Sequence, residues 1–283
     1  MVIYKQYNQD QLDLQYNNRI HVPDYETYFT TWERLSRKAE KKYTVLKDIA
    51  YGNGPRECID VFPSANSGSK TLIFIHGGYW QRFDKSLFHF VAGAFADYGI
   101  TIVLLNYPLI PDVSIDEIVA SCRKSLTWLK KNLRELNGDP LQMYIAGHSA
   151  GGHLAAMLLE NRWAKNNLDD SIKGVCSLSG LFNLKPIQQS NLNSVLNLTR
   201  EITERNSPVN LEPTSVGRLL LFVGSAETQE YKDQSEELFN TWKNKVSAID
   251  FSEITGLNHF SILNSILDPF SLIHHSICKM MQL

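Results

Sequence analysis

The sequence Gly-His-Ser-Ala-Gly at residues 147–151 constrains the fold more than any other feature of this chain. It follows the apolar, strand-like run Met143–Ala146 and precedes the helix-like run His153–Leu159. A serine in this context is typical of a sharp strand-to-helix turn, because the flanking glycines remove Cβ atoms that would collide with neighbouring backbone. The pattern therefore predicts that Ser149 is a nucleophile at the end of a buried strand.

The pattern of apolar residues along the rest of the chain predicts a parallel β-sheet, the kind of sheet in which such a turn occurs. Apolar segments of strand length alternate with segments that have helical periodicity, and the middle strands are almost continuously apolar, as in parallel strands buried on both faces. The predicted strands are Thr44–Ala50, Glu57–Phe62, Thr71–Ile75, Thr101–Asn106, Gln142–Ala146, Gly174–Leu178, Arg218–Val223 and Ala248–Ile254. The predicted helices are Lys85–Tyr98, Ile115–Leu136, Gly152–Arg162, Glu230–Lys245 and Ser261–Met280. This order favours a doubly wound, mostly parallel eight-stranded α/β sheet with an antiparallel edge and helices on both faces.

Two segments interrupt the alternation. Residues 1–43 contain amphipathic, aromatic-rich stretches and are expected to pack across the body or over the site. Residues 181–215 are polar and punctuated by prolines, which predicts a small lid-like insertion. Ligands of such sheets bind at the carboxyl ends of the strands, where these loops gather. We therefore expect residues 1–283 to form one domain with a small lid.

Composition excludes several classes of partner. The formal net charge is −2 with no basic block, so a nucleic acid is a poor candidate. The apolar runs are too short to cross a bilayer, and the first residues lack the apolar core of a secretory signal. The four cysteines are scattered, which favours free thiols in the cytosol. No motif or spacing suggests a metal or cofactor. The oligomeric state is left open, with a homodimer among the options.

A serine nucleophile needs a base, and the base needs an acid. Since the acid and then the histidine follow the serine in this type of sheet, the best base is His259, which lies after the last predicted strand. The acid is expected after the strand Arg218–Val223. Glu227 is the nearest carboxylate to that strand end, with Glu230 and Asp233 in reserve.

A second glycine-rich loop, His-Gly-Gly-Tyr-Trp at residues 76–80, follows the predicted strand Thr71–Ile75. Backbone N–H groups of Gly78 and Tyr79, together with that of Ala150, are predicted to form an oxyanion hole. His76, Gly77 and Trp80 are expected to contact the substrate.

These motifs resemble the esterase and lipase branch of the α/β-hydrolase superfamily. The His-Gly-Gly-x-Trp form is similar to that of the kynurenine formamidases (arylformamidases), as are Gln15–Arg19, Asn106–Leu109 and Val223–Glu227. The acid of that family is often Asp, whereas this chain has Glu227 at the matching position.

The resemblance implies a serine hydrolase that converts N-formylkynurenine to kynurenine and formate through a covalent formyl-enzyme, without a cofactor. Tyr79 replaces the third glycine that hormone-sensitive-lipase-like esterases carry, and Tyr79 and Trp80 would crowd the acyl side, admitting a formyl group while excluding bulkier acyl chains. A general carboxylesterase of the hormone-sensitive-lipase-like type is the main alternative. A non-catalytic receptor with a hydrolase fold is the third, although such proteins typically lose the nucleophile or the base.

Overall fold

The protein, described by a computed structural model over residues 1–161, 163, 171–214 and 217–283, contains an eight-stranded sheet within these residues. The strands are β1 (Leu46–Ala50), β2 (Cys58–Phe62), β3 (Ser69–Ile75), β4 (Thr101–Leu105), β5 (Gly138–His148), β6 (Ile172–Leu178), β7 (Arg218–Gly224) and β8 (Ile249–Ile254). Their spatial order is β1-β2-β4-β3-β5-β6-β7-β8.

The sheet is mostly parallel, as the sequence predicts. Strand β2 is antiparallel to β1 and β4, and every pairing from β4 to β8 is parallel. All eight predicted strands are present, and β5 is longer than the predicted Gln142–Ala146. Because parallel strands share one direction, the carboxyl ends of β3, β5, β7 and β8 meet at one edge of the sheet. The loops after them carry the candidate site residues.

The core lies on both faces of this sheet. In β3, Ile73 and Ile75 belong to one cluster of buried apolar side chains, while Leu72 and Phe74 belong to the other. Successive side chains of a strand point to opposite faces, so a strand apolar at every position must be covered on both. The helices provide that cover.

The helices agree with the predictions less closely than the strands do. They are α1 (Gln9–Gln15), α2 (Asn18–His21), α3 (Tyr25–Lys42), α4 (Phe90–Phe95), α5 (Ile115–Asn132), α6 (Ala150–Met157), α7 (Lys185–Gln189), α8 (Asn193–Leu196), α9 (Arg200–Arg205), α10 (Gln229–Trp242), α11 (Ser261–Asn264) and α12 (Leu272–Met281). Short 3₁₀ turns span Lys85–Phe88, Ala96–Tyr98, Leu133–Leu136, Pro208–Asn210 and Ser265–Leu267. The predicted end of one helix at Arg162 lies outside the described residues.

Two of the predicted helices are interrupted. The prediction of one helix over Ser261–Met280 is wrong, because Asp268 precedes Pro269 and has extended backbone, with φ −94° and ψ +109°. The ring of a proline disfavours helical backbone in the residue before it. The predicted helix Lys85–Tyr98 is α-helical only over Phe90–Phe95, with a 3₁₀ turn on each side.

The first 43 residues form α1, α2 and α3, and α3 packs beside α4. Residues 181–214 contain α7, α8, α9 and the turn at Pro208–Asn210. Asp13 of the first segment accepts a hydrogen bond from the backbone of Asn191 in the second, at 2.7 Å. These two segments therefore meet, and both reach the site described below.

Cys58, Cys122, Cys176 and Cys278 are free thiols, and burial raises the pKa of each. Across the described ranges, no helix combines the length and apolar character that a membrane span requires.

Candidate active site

Ser149 lies at the turn between β5 and α6. Its backbone has φ +57° and ψ −121°, a conformation that L-residues rarely adopt and that is typical of a nucleophile elbow. The turn closes tightly around it. A Cβ atom at Gly147 would lie 2.2 Å from the carbonyl oxygen of Gly151, and one at Gly151 would lie 2.0 Å from that of Ile75. The glycines of the motif are therefore required by backbone packing.

His259 and Glu227 are in direct contact. His259 follows β8, and its Nδ1–H donates to Oε2 of Glu227 at 2.7 Å. The other carboxylate oxygen accepts from the backbone N–H of Gly224 at 2.7 Å and from the Ser179 hydroxyl at 2.5 Å. Both oxygens of Glu227 thus accept hydrogen bonds, which fixes the position of the carboxylate. Because the carboxylate binds the imidazole through Nδ1, it makes no contact with Nε2 of His259.

The two reserve acids lie elsewhere. Lys5 donates to Glu230 at 2.9 Å and to Asp233 at 2.6 Å. Glu230 also accepts from the Tyr16 hydroxyl, and burial raises its pKa against the opposing effect of Lys5. Among the three candidates, the carboxylate in contact with His259 is therefore that of Glu227.

The loop after β3 presents backbone N–H groups to the site. Gly78 has φ +109° and Tyr79 has φ +50°, so the chain bends through the left-handed region. Within the described residues, the backbone N–H groups of Gly78 and Tyr79 donate no hydrogen bond. Gly77, Gly78 and Tyr79 line the same pocket as Ser149. Ala150, the third expected donor, is the first residue of α6.

The structure does not support substrate contact by His76 or Trp80. The His76 ring stacks on Phe88 and Tyr107, with ring centroids 5.6 Å and 4.4 Å away. The Trp80 indole is fully buried and donates to Nδ1 of His153 at 3.2 Å. Neither lines the pocket, because both side chains turn inward and pack beneath the loop.

Sequence reasoning missed the groups that hold His259 in place. Nε2–H of His148 donates to the His259 carbonyl at 2.8 Å, and burial holds the pKa of His148 well below its usual range, so this ring stays neutral. The Tyr231 ring packs on the imidazole with centroids 4.5 Å apart. Ser179, which donates to Glu227, was also missed. Its position directly after the predicted strand Gly174–Leu178 was a signal that could have identified it. His148 and Tyr231 gave no comparable signal.

A chain of side chains connects Tyr231 to the first segment. Its hydroxyl is 2.6 Å from that of Tyr79 and accepts from Nδ2 of Asn18 at 2.9 Å. The Tyr79 hydroxyl donates to the carbonyl of Tyr16 at 2.7 Å. Burial raises the pKa of both Tyr79 and Tyr231, so both phenols remain protonated. Residues 16–18 are thereby attached to the wall of the site.

These groups surround a pocket of about 400 Å³ that contains Ser149 and His259. That volume is typical of small-molecule sites. The first segment, the loop after β3 and residues 190–195 supply most of the wall, which includes Tyr16, Asn17, Asn18, Arg19, Phe29, Trp32, Gly78, Tyr79, Arg82, Ser190, Asn191, Leu192 and Val195. Within the described ranges, no group of His, Cys, Asp and Glu side chains is arranged to hold a metal.

The fold and the elbow define a hydrolase of the α/β-hydrolase class. The BD-FAE family matches residues 59–242, which is more than half of the chain, and the chain belongs to that family. The predicted resemblance to the kynurenine formamidases is also confirmed. The chain is 29% identical over 290 residues to the kynurenine formamidase of Danio rerio, covering 98% of each chain.

Other relatives are esterases by name. The chain is 27% identical to an isoprenylcysteine alpha-carbonyl methylesterase of Arabidopsis thaliana, covering 68% of this chain and 51% of that one. A solved structure from Silicibacter sp. TM1040, provisionally described as a thioesterase, is 25% identical with a TM-score of 0.85, and covers 96% of this chain and 99% of that chain. These similarities agree on a small-molecule hydrolase.

Proposed function

We propose that this protein is an arylformamidase that hydrolyses the formamide of N-formyl-L-kynurenine to L-kynurenine and formate. The observation that carries the proposal is the Glu227–His259 hydrogen bond, together with the position of His259 and Ser149 in the lining of one pocket. The full-length similarity to a kynurenine formamidase supports the choice of substrate.

Acylation begins when Oγ of Ser149 attacks the formyl carbon and Nε2 of His259 takes the serine proton. The carbonyl oxygen becomes an oxyanion and accepts hydrogen bonds from the N–H groups of Gly78, Tyr79 and Ala150. Each such donor contributes about 10²- to 10³-fold to the rate. Glu227 keeps the proton of the neutral imidazole on Nδ1 and stabilises the imidazolium that forms.

The tetrahedral intermediate then collapses. The carbon–nitrogen bond breaks, His259 passes its proton to the departing arylamine nitrogen, and Ser149 carries the formyl group as an ester. A water molecule attacks this ester while His259 takes one of its protons. That proton passes to Ser149 Oγ as formic acid leaves, which restores the enzyme, and the acid then ionises to formate in solution.

A formyl carbon carries only hydrogen beside its carbonyl, so little room is needed on the acyl side. The Tyr79 phenol is fixed by Tyr16 and Tyr231, and we propose that it narrows this side of the pocket. Trp80 takes no part in this restriction, because its indole is buried in the core. Segment 181–215 would act as the lid over the pocket.

The second candidate is a carboxylesterase with the same three residues. It is favoured by the similarity to a methylesterase, and it differs only in the shape of the pocket. A non-catalytic receptor is disfavoured because the nucleophile, the base and the acid are all present.

The test is a comparison of kcat/KM for N-formylkynurenine with kcat/KM for p-nitrophenyl esters, using purified protein. We expect the formamide to be preferred, and an ester preference of several orders of magnitude would favour the carboxylesterase. Ser149→Ala and His259→Ala should each abolish nearly all turnover, with the double variant little worse, since the residues act as a unit.

A further inference from the structure

We infer that Arg19 and Arg82 form a carboxylate-binding subsite at the pocket, which recognises the amino-acid part of the substrate. This inference rests on the proposed function and refines it. It specifies an aromatic formamide that bears a carboxylate, rather than any neutral formanilide or ester.

The first observation is the charge of the pocket wall. Arg19 and Arg82 are exposed and line the pocket that contains Ser149 and His259. Neither guanidinium has an ion-pair partner within the described part of the chain. Six other arginines have carboxylate partners, namely Arg37, Arg56, Arg123, Arg200, Arg205 and Arg218, whereas Arg34 and Arg134, which do not line this pocket, have none among the described residues. The lining of the pocket thus includes two arginines that form no ion pair within the described residues.

The second observation is the position of the Arg19 guanidinium. Its guanidinium carbon lies 4.8 Å from the centroid of the Tyr25 ring. A guanidinium that lies over an aromatic ring keeps N–H groups free for other acceptors. Those N–H groups match the two oxygens of a carboxylate.

The third observation is the anchoring of the segment that carries Arg19. The Tyr16 carbonyl accepts from the Tyr79 hydroxyl, and Asn18 donates to the Tyr231 hydroxyl. Tyr231 packs on His259, so the backbone beside Arg19 is fixed to the same groups that hold the base. The subsite gives a reason for the attachment of the segment Gln15–Arg19 to the wall of the pocket, because the acyl-transfer chemistry alone does not require this segment.

The charge pattern also favours an amino acid over other anions. Asp13 contributes a negative charge to the same lining and holds the backbone of Asn191 through Oδ1. Two guanidinium groups and one carboxylate suit a zwitterion that carries a carboxylate and an ammonium.

The experiment compares two formamides that share the reacting group. N-formylkynurenine carries the amino-acid carboxylate, whereas 2′-formamidoacetophenone keeps the aromatic ring and ortho ketone but lacks it. Both are assayed with the wild type, Arg19→Gln, Arg82→Gln and a control, Arg34→Gln. Arg34 is an exposed arginine on α3 that faces a separate surface depression.

For N-formylkynurenine, each pocket variant should lower kcat/KM by about 10- to 100-fold, mainly through KM, because a hydrogen-bonded charge pair is lost. For 2′-formamidoacetophenone, kcat/KM should stay within about twofold of the wild type, which also shows that the variants are folded. Arg34→Gln should match the wild type on both substrates. Equal losses on the two formamides, or no loss on either, would overturn the subsite.

Failure of the proposed function gives a different result. If the wild type hydrolyses neither formamide but does hydrolyse aryl acetates, the formamidase proposal fails. The same variants are then compared on phenyl acetate and 4-acetoxybenzoate. A loss confined to the carboxylated ester supports the subsite, and an absence of that difference overturns it as well.

Discussion

Replacing Glu227 by Gln should abolish most of the activity while preserving the shape of the site. The carboxylate accepts from Gly224 and Ser179 through one oxygen and from His259 through the other. The glutamine carbonyl must therefore face Gly224, because an NH₂ group there would oppose the backbone N–H. Its NH₂ group then faces His259 and donates to Nδ1.

This arrangement moves the imidazole proton to Nε2, the nitrogen that accepts the proton of Ser149 in the proposed mechanism. The wrong tautomer and the lost charge should together lower kcat by about 10⁴-fold, the size seen when a triad aspartate becomes an amide. That factor corresponds to about 5.4 kcal/mol in the activation free energy.

The assay is the rate of kynurenine formation from N-formylkynurenine, measured alongside near-ultraviolet circular dichroism. Asp233→Asn is the matched control, because this carboxylate pairs with the half-exposed Lys5, and it should retain activity within about twofold. A loss of less than tenfold in a folded Glu227→Gln protein would refute the role given to Glu227.

Three further predictions concern the elbow, the acyl side and pH. Gly151→Ala should unfold or strongly destabilise the protein in urea titrations, since its Cβ would lie 2.0 Å from the Ile75 carbonyl; a loss below about 1 kcal/mol would contradict this. Tyr79→Gly should raise activity on butyryl esters relative to formyl substrates, and an unchanged preference would count against the size restriction. Burial lowers the pKa of His76 and of His153 to about 4. The unfolded state therefore binds more protons between about pH 6.5 and 4, so each histidine should lower the free energy of unfolding by up to about 1.4 kcal/mol per pH unit as the pH falls. His153→Gln should show a shallower slope in this window, and an identical slope would be inconsistent with a buried neutral imidazole.

Much of the architecture could be predicted from the sequence because it depends on local pattern. Continuous apolar runs identify buried parallel strands, and the Gly-x-Ser-x-Gly run identifies the turn that carries Ser149. The spatial order of the strands and the ends of the helices were harder to predict from local pattern. The break before Pro269 has a local cause that the helical periodicity of Ser261–Met280 concealed.

Those candidate site residues that directly follow a predicted strand could be identified from the sequence. Ser149, Glu227 and His259 each come after a predicted strand, and the shared direction of β5, β7 and β8 brings them to one edge. The inward turn of His76 and Trp80 was not predictable, because it depends on φ values in the loop and on the packing beneath it.

The sequence alone determined which elements form and which residue types could perform acyl transfer, since both follow from short-range pattern and side-chain chemistry. Tertiary structure decided which carboxylate touches His259, what holds that ring, and which charges line the pocket. Those features depend on contacts between residues as far apart as Asn18 and Tyr231, and no local pattern encodes the distance between such residues.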